Sequence, residues 1–251
     1  MPEEFRKDSF FTERDIRSMN RQLFRRGLRD GVPIALGYMA VAFTLGIAAG
    51  NIGMDALQSF FMSFGMLASA GEYAALLLIG SAAGVLEIII TTFIINLRYF
   101  LMSCSLSQKI RKDVPIWKRM LLAWFVTDEL FGISSAVEGD LDPVYTYGAA
   151  IVAVTGWCAG TVLGVVAGDI LPPNLSSAMG VSLYGMFLAI IIPPAGKSRF
   201  MAGLIVTAMA ASFLFTRVPV LREISEGFRI IILTVLIAGA AAFMKPVEEE
   251  A

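Results

Sequence analysis

Arg98 is where the chemistry of this chain is most concentrated. Of twenty Lys and Arg in the sequence, it is the one that falls deep inside a membrane-length apolar stretch. Asp128 and Glu129 lie in the next such stretch, beyond a turn framed by Lys109 and Arg119. Arg98 precedes that turn by eleven residues and Asp128 follows it by nine. At about 1.5 Å of rise per helical residue, both reach roughly 13–17 Å into a bilayer, near its middle. Charge at that depth costs several kcal/mol unless it pairs or lines a polar path. A planar guanidinium can neutralise an acid or grip a carboxylate in two parallel hydrogen bonds. Asp128 and Glu129 are about 100° apart on a helix, so both cannot face Arg98 equally. One is expected to pair while the other is left to titrate. The plainer alternative is an ion pair that only holds two helices in register.

Two further acids lie in apolar sequence, Glu72 and Glu87. Glu72 sits in a stretch rich in small residues, where it can bind a substrate amine, carry a proton, or stand at a water-exposed loop tip. Glu87 is expected near the outer surface and ranks lower. Asn96, two residues before Arg98, and Thr127, just before the acid pair, can cap a helix break, bond a ligand, or bond the local helix backbone. The candidate substrate or coupling residues are therefore Glu72, Asn96, Arg98, Asp128 and Glu129.

The elements that must position these residues are helices in a membrane. Of 251 residues, 57% are hydrophobic and 16% charged, with a mean hydropathy of +0.72. Apolar stretches occupy roughly 32–51, 57–80, 82–107, 119–137, 145–168, 177–194, 200–216 and 229–244. Several are long enough to span a bilayer. The expected fold is an all-α polytopic membrane protein with six to eight transmembrane helices. Cys104 and Cys158 show neither CxxC spacing nor a disulfide frame. Histidine is absent, which excludes histidine-ligated metals, Ser-His-Asp catalysis and histidine relays. No P-loop, and no GxGD motif of an intramembrane aspartyl protease, is present, so neither an enzyme nor a cofactor is expected.

Residues 1–31 carry eight Lys/Arg and six Asp/Glu and read as a cytoplasmic basic segment, not a signal peptide. Ile16, Met19, Leu23 and Phe24 suggest an amphipathic helix on the inner membrane surface. Residues 109–119 hold five Lys/Arg, whereas 138–144 hold none and carry Glu138, Asp140 and Asp142. The positive-inside rule then puts the N-terminus and 109–119 in the cytoplasm and 138–144 outside, with 119–137 crossing between them. Residues 57–80 fit a re-entrant or broken pair of half-helices, Gly65 and Gly71 favouring the interruption; a close-packed helix pair is the alternative. Trp117, Tyr145 and Tyr147 are expected in interfacial aromatic belts.

Residues 45–59 align without gaps to 163–177, with seven of fifteen positions identical, among them Gly46/164 and Gly50/168. By the orientation above, the first copy ends an outward span and the second an inward one, as in an inverted repeat. The expected organisation is a segment 1–31, a first membrane repeat over 32–137, a second over 145–244, and an acidic tail over 245–251. Such a chain suits a transporter, with a passive channel or facilitator as the alternative.

The run Asn96-Leu97-Arg98-Tyr99, followed by Leu101-Met102 and then Thr127-Asp128-Glu129, resembles the AzlC family. Glu72-Tyr73 after an Ala/Gly-rich run, and Gly156-Trp157 followed by Gly160 and Gly164, add to the likeness, which covers roughly residues 27–240. The resemblance implies the large subunit of a branched-chain amino-acid exporter in the cytoplasmic membrane. It also implies a small AzlD-type membrane partner, an amino-acid substrate and no nucleic acid. The family usually has Gln where this chain has Glu72, a departure that bears on substrate choice or coupling ion.

Overall fold

The computed structural model describes residues 13–111, 113–168, 170–172, 174, 188, 191–193, 195–218, 221 and 223–244. Within them the chain is helical: α1 Glu13–Asn51, α2 Ala56–Met66, α3 Ser69–Gly80, α4 Val85–Lys109, α5 Ile116–Trp124, α6 Asp128–Ser135, α7 Pro143–Gly168, α8 Arg199–Arg217 and α9 Glu226–Met244. The one β-type contact among them is an isolated parallel bridge between Ile110 and Leu141. Five helices are long and apolar enough to cross a membrane, namely α1, α4, α7, α8 and α9. The protein is thus an all-α polytopic membrane protein. The expected count of six to eight spans depends on 177–194, most of which lies outside the described residues. The tail 245–251 lies outside them as well. The described residues form two compact units, within Met1–Met39 plus Arg98–Trp157 and within Ala40–Leu97 plus Cys158–Ala251.

In the first unit, the apolar stretch 119–137 is not one span. It breaks at Phe125–Thr127 into α5, nine residues, and α6, eight residues. At about 1.5 Å per residue each is roughly 12–14 Å long, under half the ~30 Å of a bilayer core. The two form a re-entrant hairpin. The Tyr147 hydroxyl donates to the Lys118 carbonyl at the start of α5 (2.5 Å), and Ser134 at the end of α6 bonds Thr146 (2.9 Å). Both ends of the hairpin therefore meet the same turn of α7. Leu130 on α6 packs on Ala149, Ala150 and Ala153 of α7, with Phe125 and Ile133 against the same cluster.

This overturns the expected placement of 138–144 across the membrane from 109–119. The Leu141 amide donates to the Lys109 carbonyl (2.9 Å), the Lys109 ammonium to the Ser135 carbonyl, and Arg111 lies 4.0 Å from Asp142. The two segments are on one side. The acids at 138–142 misled because acidic residues contribute little to orientation. Tyr145 is not an interfacial belt residue either. It is buried, in a cluster with Leu106, Ile110, Leu122, Val126 and Leu141, and its hydroxyl donates to Asp30 (2.9 Å).

The expected surface helix over 16–24 is instead the beginning of a 39-residue α1 that continues through Pro33. No turn separates the two parts because the residues between them serve packing. A Cβ on Gly27 would lie 2.0 Å from the Tyr145 carbonyl oxygen, and one on Gly148 2.3 Å from that of Phe24. Small residues thus let α1 and α7 approach backbone to backbone.

In the second unit, α1 and α7 meet in the same way. A Cβ on Gly46 would fall 2.1 Å from the Thr161 carbonyl oxygen, and one on Gly164 2.0 Å from that of Phe43. Contacts advance together along both helices, Gly46 against Gly164 and Ile47 against Gly168. The helical parts of the aligned segments, 45–51 on α1 and 163–168 on α7, therefore run in the same direction, which is not the sense of an inverted pair; much of the rest of the second segment lies outside the described residues. The inverted sense had followed from carrying 119–137 across the membrane. Residues 57–80 do break, at Leu67–Ala68 between α2 and α3. Leu67 itself takes the left-handed conformation (φ 46°), not Gly65. Gly80 at the end of α3 returns to Ile52, just after α1, so α2 and α3 also form a hairpin. Asp55 and Gln58 cap α2 reciprocally. The helices α8 and α9 pack on one another, and no residue of α8 is buried.

Candidate functional site

The first unit brings together Arg98, Asp128 and Glu129. Thr127 starts α6 as its cap, accepting the Leu130 amide (3.3 Å), and two acids in the first turn complement the positive end of the helix. That local start places Asp128 at the hairpin tip, where its carboxylate meets Arg98 on α4 at 2.8 Å. Both side chains are 37% exposed at the protein surface. The Arg98 guanidinium also donates to the Tyr99 hydroxyl (3.1 Å) and lies 5.0 Å from the centroid of that ring. Both of these polar contacts use Nη2; among the described residues no contact of Nη1 or Nε is seen.

Glu129 turns the other way, to Tyr38 on α1. The Tyr38 hydroxyl bonds the Glu129 carboxylate and lies 2.6 Å from Thr127 Oγ1. Tyr38 has one phenolic proton and an ionised carboxylate only accepts. The Tyr38 hydroxyl is the donor toward both the Glu129 carboxylate and Thr127 Oγ1, so the two acceptors share its single proton. Trp157 stands edge-on to Tyr38 with ring centroids 5.3 Å apart. The acids thus separate as their 100° spacing required, one on Arg98 and one on a phenol.

The second unit holds Glu72 and Asn96. Glu72, in the first turn of α3, is 1% exposed, which rules out the water-exposed loop tip. Its carboxylate accepts from Ser63 on α2, and Ser63 Oγ lies 2.7 Å from Thr161 Oγ1 on α7. Asn96 caps no break; it lies mid-helix in α4 with its amide against Gly71, where a Cβ would come within 2.5 Å of Nδ2. The buried Asn96 Oδ1 has no hydrogen-bond partner among the described residues. Glu87 accepts from Ser225 and from the Gly227 amide (3.0 Å) at the start of α9.

Tyr38, Ser63 and Thr161 were not singled out in the sequence, and Tyr99 entered only as part of the Asn96-Leu97-Arg98-Tyr99 run. Tyr38 carried a usable signal: an aromatic hydroxyl far inside an apolar stretch needs a partner there. Ser59 and Ser63 carried another, two hydroxyls at helical spacing that both turn out to be buried.

The arrangement sits within sequence that other membrane proteins share. Residues 33–171, more than half of the chain, match the family model described as AzlC protein, and this range includes every candidate site residue. An uncharacterized membrane protein of Archaeoglobus fulgidus is 30% identical over 173 residues, covering 68% of this chain and 75% of that one. Inner membrane protein YgaZ of Escherichia coli is 27% identical over 206 residues, 78% and 84% of the two chains. No solved structure matches. The long apolar helices, the ion pair at the hairpin tip and these likenesses agree: the chain belongs to the AzlC family of membrane proteins.

Proposed function

We propose that this protein is a secondary transporter that exports branched-chain or related amino acids across the cytoplasmic membrane. A small AzlD-type membrane protein is its partner, the proton gradient its energy source, and its N-terminus is cytoplasmic. The observation that carries the reading is the Arg98–Asp128 pair at the tip of a re-entrant hairpin. A charged pair at membrane depth with one member at a helix interruption is typical of a path for a polar solute. The Arg98 guanidinium suits a substrate carboxylate, and Asp128 with Glu129 suits its ammonium group. The branched-chain substrate and the partner come from the family likeness alone.

The test is efflux of a labelled leucine analogue from cells expressing the chain with and without a small AzlD-type membrane protein, under an imposed pH gradient. Gradient-dependent efflux is expected with both present. Arg98→Gln and Asp128→Asn are each expected to abolish it while membrane abundance stays near the parent level. Loss of protein in place of activity would make the pair structural, and flux that only runs downhill would make the protein a facilitator.

A further inference from the structure

We propose that Glu72 carries the coupling proton, through a hydroxyl relay from Glu72 to Ser63 to Thr161 that can reverse its direction. The proposal deepens the transport reading above and rests on it. Its basis is geometry in three helices of one unit. Glu72 of α3, Ser63 of α2 and Thr161 of α7 are each no more than 1% exposed, and their oxygens follow one another in hydrogen-bond sequence.

The chemistry of the three groups makes the relay reversible. An ionised carboxylate only accepts, so Ser63 donates to it and is free to accept from Thr161. A proton delivered to Thr161 is passed along the chain as each hydroxyl takes one proton and gives up its own, Thr161 to Ser63 and Ser63 to the carboxylate, which then has one O–H to donate. Ser63 then accepts from Glu72 and donates to Thr161. Either direction is compatible with the Ser63–Thr161 contact, in which each oxygen can be the donor. In both states the Glu72 carboxyl and the Ser63 hydroxyl keep a partner for the proton they carry; a proton left without one would cost about 1–3 kcal/mol. Ser59, one helical turn before Ser63 on α2 and 1% exposed, has no hydrogen-bond partner for its hydroxyl among the described residues, nor has Asn96 Oδ1 beside Gly71.

Among the described residues, the charged and titratable groups on the elements around α3 are otherwise placed. Helix α2 carries none. On α7 the Cys158 thiol is within electrostatic reach of the carboxylate. On α4, Glu87 is held by Ser225 and Gly227. On α9, Glu226 stands at the first position, and Arg229 donates to the Ile224 carbonyl (3.4 Å).

Infrared difference spectroscopy of the purified protein, titrated with acid, reads the proton directly. One component of the protonated carboxyl absorption, beside those of the other acids, is expected in the parent and lost in Glu72→Gln, an exchange that preserves shape. A carboxyl spectrum identical in parent and Glu72→Gln overturns the proposal whatever the transport result. In proteoliposomes of parent and partner, amino-acid movement is expected to be accompanied by proton movement that a pH-sensitive dye records. Glu72→Gln is expected to lower gradient-driven accumulation about tenfold or more, while exchange of labelled for unlabelled amino acid persists. Accumulation driven by sodium in place of protons overturns the proposal. Absence of any amino-acid movement, with the Glu72 band present, overturns the transport reading and leaves the proton site standing. Should Glu72→Gln fail to fold, Ser63→Ala keeps the acid and is expected to shift its carboxyl band; an unshifted band excludes the relay.

Discussion

Tyr38 shows how one side chain can hold a candidate site in shape without carrying charge. Its hydroxyl joins the cap of α6 to the second acid of the pair, so Thr127 and Glu129 are both oriented from α1. Tyr38→Phe is expected to cost about 1 kcal/mol of stability, read as a lower melting temperature in detergent, and to reduce efflux while leaving the Arg98–Asp128 contact in place. Efflux at the parent level would confine the phenol to packing. The residue scale was also where the sequence was most legible. Counting rise from the shared turn put Arg98 and Asp128 at one depth, and they meet at 2.8 Å. The count succeeded because nine residues carry the chain to the same depth whether it then crosses or turns back. What it could not supply was the phenol, which arrives from sequence ninety residues away.

At the scale of elements, apolar length concealed a break. Residues 119–137 contain no proline, and Gly132 lies inside α6, so nothing at 125–127 punctuates the stretch. The start signal was nevertheless present: Thr127 followed by two acids is the pattern of a helix N-terminus. Reading it as such would have given a hairpin, and with it the shared side of 109–111 and 138–144. Cysteines introduced singly as Asp113→Cys and Asp140→Cys, with Cys104 and Cys158 replaced by alanine, are expected to react with an impermeant maleimide from the same side. Reaction from opposite sides would restore a crossing at 119–137. The α1–α7 contact offers a second test. Gly46→Val forces a Cβ into the Thr161 carbonyl and is expected to remove most folded protein from the membrane, as measured by abundance against the parent.

For the whole molecule, composition alone announced the class, since apolar stretches of this length have no use in a soluble core. The internal repeat was equally visible, but its sense was not. Direction is a property of the chain path, and one misjudged crossing inverts everything after it. The re-entrant hairpin over 116–135 has a further consequence, for biogenesis. Backbone that turns at membrane depth is tolerated only where other protein covers it. Its cover is α1, through Tyr38, and α7, through Ala149, Ala150 and Ala153. Helix α1 is synthesised before the hairpin, but α7 follows it. The hairpin therefore leaves the ribosome before its seat exists and has to wait in a polar setting until α7 has been inserted. A cysteine at Phe131→Cys is expected to be labelled in ribosome-bound chains ending before Pro143 and shielded in chains extended beyond Gly168. In this family member, insertion order would then be written into the sequence: the most polar part of the membrane domain is the part that folds late.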